Sequence, residues 1–80
     1  SSSEKKEELK KAITALSIAI LKTKSYLSSK SKSKNSAKEN ELWELWNNAH
    51  IELQNIDPAL ASRCFTKAEY WVAPENWDNE

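Results

Sequence analysis

The chain has 80 residues, 39% hydrophobic and 30% charged, with a formal net charge of zero, four tryptophans, one cysteine, one histidine and neither glycine nor methionine. A chain of this length supports one domain with a small core, burying somewhat more than half of its unfolded surface. Lone Cys64 excludes an internal disulfide and, with only His50 beside it, a Cys/His zinc cage; the absence of glycine excludes the usual phosphate-cradling and dinucleotide-binding loops and disfavours tight hairpins and β architecture.

Cysteine usage points to a reducing, cytoplasmic setting. The opening SSSEKKEELKK carries no methionine and no signal-peptide pattern. The chain is therefore expected to be a module of a larger protein, with Ser1 to Ser3 fitting a tag or cloning remnant.

A first helix is predicted over about residues 4–28. Leu9, Ile13, Leu16, Ile20 and Leu27 recur at spacings of four and three, with Thr23 completing the series. Ala12, Ala19 and Tyr26 widen this stripe, while Ile18 and Leu21 lie off its centre. The middle of the helix is thus apolar around much of its circumference, which predicts burial on two sides, by the rest of the chain or by another molecule. The longest nearly apolar run, residues 12–21, is interrupted by Thr14 and Ser17 and reaches about half of the roughly twenty residues a membrane span needs.

Residues 29–38 read as a flexible basic loop of alternating serine and lysine. Ser36 with Glu39 matches a capping box, so a second helix is predicted over about 39–55, with Leu42, Trp46, Ala49, Leu53 and Ile56 inward and Leu45 and Trp43 on its flanks. Asp57 as N-cap and Pro58 at the first helical position then open a third helix over about 58–72. Its apolar face is Ala61, Cys64, Phe65, Ala68 and Val72, extended by Leu60 and Trp71. Pro74 ends it and leaves a short tail carrying Trp77. The predicted fold is a small all-α three-helix bundle in one domain, with the first two helices antiparallel.

The zero net charge conceals a dipole. Residues 1–38 hold ten lysines against three glutamates, a formal +7, and residues 39–80 hold Arg63 and Lys67 against nine carboxylates, a formal −7. Packing of the acidic helices beside the basic one explains this asymmetry most simply. The competing reading is a cationic loop, Lys30, Lys32, Lys34 and Lys38, offered to nucleic acid, anionic lipid or an acidic protein. Nucleic acid is disfavoured, because the basic half has no arginine for bidentate recognition and only Tyr26 for stacking.

Catalytic constellations are scarce. Cys64 and His50 are the one nucleophile and base pair, but Cys64 falls in an apolar register and reads as a small buried hydrophobe. His50 sits at the edge of its helix's apolar stripe and reads as a partly buried histidine with a local hydrogen bond. Glu52, two residues on, points about 200° away and cannot share a metal with it. No cofactor is called for, and the chain is read as non-enzymatic.

The aromatics remain. Trp46, Phe65 and Trp71 are expected to fill the bundle and Trp77 to fold back beneath it, while Trp43, Tyr70 and Trp77 also qualify as anchors for a partner. The function expected is that of a helical protein-protein interaction or oligomerisation module, using Ile18, Leu21, Trp43, Tyr70 and Trp77 to bind a protein partner or a second copy in a homodimer. The alternative is binding of nucleic acid or an anionic surface through the lysine-rich half.

Overall fold

The structure, a computed structural model, describes residues 2–29 and 35–72. It contains three α-helices, α1 (Ser2–Ser28), α2 (Ser36–Leu53) and α3 (Pro58–Val72), which form the predicted all-α bundle.

The start of α2 lies three residues before the predicted one, because Asn35 rather than Ser36 is the cap. Asn35 has extended backbone (φ −118°, ψ 98°), and its side-chain oxygen accepts the Lys38 backbone N–H at 3.0 Å. An Asn side chain in that position satisfies one of the amide hydrogens orphaned at a helix start, as Ser36 would have done one residue later. At the other end α2 gives way to a turn over residues 54–56, closed by the Ile56 and Asp57 amides donating to the Leu53 carbonyl at 3.0 and 2.9 Å. Asp57 then caps α3 as expected, its carboxylate accepting the Leu60 N–H at 3.1 Å.

Two contacts set the topology. The His50 ring meets the Ala61 carbonyl, which places the start of α3 beside the end of α2. Tyr26 and Trp71 pack edge to face with centroids 5.8 Å apart, which brings the C-terminal ends of α1 and α3 together. Hence α2 is the middle helix and runs antiparallel to both neighbours.

At 1.5 Å per residue α1 is about 40 Å long, against about 27 Å for α2 and about 22 Å for α3. The first helix therefore outruns its companions, in keeping with the molecule's 48 × 21 × 17 Å extents. Every residue from Ser3 to Lys11 is exposed, and the first buried one is Ala12.

The core is built from Leu42, Trp46, Ala49 and Leu53 of α2, Ala61, Cys64, Ala68 and Trp71 of α3, and Ala12, Ala15 and Ala19 of α1. Here the prediction for α1 needs correction. Its buried strip is made of alanines, which were expected only to widen the stripe, while Leu9, Ile13, Ile20 and Leu27 at the centre of that stripe are exposed, Ile13 at 54% and Leu27 at 63%. Alanine lets two helix backbones approach closely, and the indole of Trp46 supplies the volume between them. Phe65, Val72 and Ile56 were likewise expected inside and are exposed: the buried face of α3 is centred on Cys64, Ala68 and Trp71, which leaves Phe65 and Val72 at its edge, and Ile56 falls in the turn after α2.

Candidate docking surface

At about 100° per residue, Leu9, Ile13, Leu16, Ile20 and Leu27 lie within an arc of about 60° along α1. The centre of that arc is turned about 90° from the line through Ala12, Ala15 and Ala19 that faces α2. Leu16 leans on the core and is half-buried, whereas the other four large side chains face outward. The seam spans residues 9–27, about 27 Å of helix. Its N-terminal end runs past the bundle, where Lys6, Leu9, Lys10, Ile13 and Thr14 line a shallow groove of about 260 Å³.

Polar contacts lock α1 against α2 in this orientation. The Trp46 indole N–H donates to Thr23 Oγ1 at 2.8 Å, across the α1–α2 interface. Near the hairpin the Tyr26 hydroxyl donates to the buried Glu39 carboxylate at 2.8 Å and accepts the Asn35 backbone N–H at 3.3 Å. Burial, aided by the Glu39 charge, pushes the Tyr26 phenol above its ordinary 10.0, although the Asn35 amide pulls the other way. Rotating α1 to bury its leucines would break both bridges. The alanine face is thereby held inward and the leucine seam outward.

The described residues singled out as partner anchors lie on three different helices. Ile18 and Leu21 are exposed, Leu21 at 65%; Leu21 lies about 150° from the alanine line that faces α2, and Ile18 about 90° from it on the flank opposite the leucine seam. Trp43 is half-buried and packed against the core. Tyr70 is also half-buried, edge to face with Trp71 at 5.4 Å. Trp77, Lys30, Lys32 and Lys34 lie outside the described residues, and Lys38 is exposed in the first turn of α2. The seam itself was legible as a periodic stripe, with cover by the chain or by another molecule both open, and the partner-facing role on α1 was given to Ile18 and Leu21.

His50 has the local environment expected of a structural histidine. A carbonyl can only accept, so Nδ1 carries the proton that goes to Ala61 at 2.8 Å, and Nε2 accepts from the Gln54 amide at 3.1 Å. Its ring also lies against Phe65, with centroids 5.0 Å apart. Both nitrogens thus engage groups other than Cys64. That thiol is buried, and desolvation raises it above its ordinary 9.0, the opposite of what a nucleophilic cysteine needs. Among the described residues no group of three or more His, Cys, Asp or Glu is placed to hold a metal ion, and no helix is long and apolar enough to cross a membrane.

No protein-family model matches the chain, and no curated protein or solved structure is significantly similar to it.

Proposed function

We propose that the chain is a non-catalytic helical interaction module that docks another protein surface along the outward seam of α1. The observation that carries this reading is the inversion on α1, where alanines face the bundle and Leu9, Ile13, Ile20 and Leu27 face outward. Side chains of that size contribute about 1.5–3 kcal/mol each when fully buried, so an uncovered row of them is a strong driving force for association. Scattered exposed leucines are ordinary on protein surfaces, whereas a row with heptad spacing on a helix that overhangs its own domain is a surface suited to another helix. The raised Cys64 thiol and the engaged nitrogens of His50 support the non-catalytic part of the reading.

Sedimentation equilibrium over a wide concentration range tests it, with the chain alone and as the Ile13→Ser/Ile20→Ser double variant. Mass that rises with concentration in the parent and not in the variant would assign the seam to self-association. A monomer in both cases rules out self-association, and titration with amphipathic helical peptides then decides whether the seam docks a helix at all.

A further inference from the structure

Resting on that reading, we propose that the occupant of the α1 seam is an acidic amphipathic helix of another protein, with leucine or isoleucine at heptad positions and carboxylates flanking them. Two features support it, the spacing of the seam and the distribution of charge around it.

The spacing from Leu9 to Leu27 is four, three, four, three, four, the fifth place being Thr23, whose hydroxyl turns to Trp46 of α2. A narrow arc with that repeat is the seam of a two-stranded coiled coil, whereas a helix that lies in a lipid interface uses a much broader apolar face. The surface is therefore shaped for one more helix laid along α1.

The charged residues flanking the seam are all lysines. Lys5, Lys6, Lys10 and Lys24 fall within about 90° of its centre, whereas Glu4, Glu7 and Glu8, together with Lys11 and Lys22, fall more than about 100° away. All four flanking lysines are exposed. A partner helix in the seam has its flanks beside these ammonium groups, so carboxylates there are attracted and lysines repelled.

The same charges oppose a second copy of this chain. Antiparallel pairing of two α1 seams sets Lys10 against Lys24 of the other copy, and parallel pairing sets Lys10 against Lys5. The acidic helix α2, at a formal −3 from Lys38 against Glu39, Glu41, Glu44 and Glu52, has the complementary sign. Its outward side, however, carries Ile51 as its one exposed large apolar residue and cannot fill a seam of five. That acidic helix also lies directly beside α1, which sets it against an anionic membrane.

The test uses two labelled synthetic peptides with the same leucine and isoleucine heptads, one flanked by glutamate and the other by lysine, titrated against the full chain by fluorescence anisotropy at low and moderate salt. Vesicles of phosphatidylserine and phosphatidylcholine serve as a third probe. The glutamate peptide should bind at least roughly tenfold more tightly than its lysine twin, with the gap narrowing as salt rises. In Lys10→Glu/Lys24→Glu the preference should reverse, and in Ile13→Ser/Ile20→Ser binding of both peptides should be lost while helical circular dichroism is retained.

Equal affinity for the two peptides, or a preference that survives the charge reversal, would overturn the acidic partner. So would seam-dependent binding to vesicles without peptide selectivity, which assigns the surface to lipid. If neither peptide binds and the chain self-associates in an Ile13- and Ile20-dependent way, the acidic helix falls and the docking reading stands with a second copy as occupant. If no probe binds and the chain stays monomeric, both fall.

Discussion

The α1–α2 and α2–α3 interfaces solve the same packing problem with opposite means. Between α2 and α3 the large side chains point inward, and Leu42, Trp46, Leu53 and Trp71 are buried. Across α1 the buried residues are alanines, Leu16 and Tyr26 are only half-buried against the core, and Leu9, Ile13, Ile20 and Leu27 point away. A helix whose bulk faces inward is held mainly by apolar burial. A helix whose alanines face inward is held by close backbone approach and by the bridges through Thr23 and Tyr26. The contrast teaches that hydrophobic periodicity reports where apolar side chains lie on a helix and does not by itself say which part of that surface the chain covers.

The largest effect is expected where the two interfaces share a residue. Trp46→Ala removes a buried aromatic and the Thr23 bridge together, and should cost about 3–5 kcal/mol in urea unfolding. A loss below about 1 kcal/mol would mean that α1 does not rely on this contact. Overpacking the close approach comes next. Ala19 is fully buried, and Ala19→Leu should destabilise by about 1–3 kcal/mol even though it adds apolar surface. Unchanged or raised stability would show that α1 can rotate to bring its leucines inward.

Tyr26→Phe removes the phenol that joins Glu39 to the Asn35 amide. It should cost about 1–3 kcal/mol, because the buried carboxylate loses a donor, and a Glu39→Gln partner variant completes a double-mutant cycle that checks the coupling. A related effect is set by pH. Folding raises the Cys64 thiol above 9.0 and the Tyr26 phenol above 10.0, both through burial. In each case the native state holds its proton more tightly than the unfolded chain, so the contribution is full below those values and is lost as pH rises through them. Urea midpoints should be steady from about pH 7 to 9 and fall above that range, and Cys64→Ala should remove the earlier part of the fall.

The smallest effect on folding is expected at the seam. Ile13→Ser and Ile20→Ser should each change monomer stability by no more than about 0.5 kcal/mol, since neither side chain is in the core. A much larger loss would place these residues inside the fold and return α1 to the arrangement its periodicity first suggested.

Much of the fold can be read locally. Pro58 and Asp57 define the start of α3 through a missing donor and a capping carboxylate, and the α3 limits agree with those read from the sequence. The α2 boundary was displaced because two adjacent residues, Asn35 and Ser36, are both good caps, and Asn35 is the one whose backbone N–H also donates to the Tyr26 hydroxyl. The alanine strip did leave a signal, since Ala12, Ala15 and Ala19 recur at three and four. It was subordinate to the leucine stripe because apolar patterns weigh side chains by size, whereas close helix packing selects small ones. Phe65 and Val72 were drawn inward by the same bias.

By itself the sequence determined three helices and their order along the chain, because caps, breakers and helical periodicity act over a few residues. Only the tertiary structure decided which of α1's two apolar faces packs on α2. That choice rests on the depth needed to seat Trp46 and on partners distant in sequence, Thr23 with Trp46 and Tyr26 with Glu39. Small residues meet where a neighbour supplies the bulk, and the leucines left outside become the surface available to another molecule.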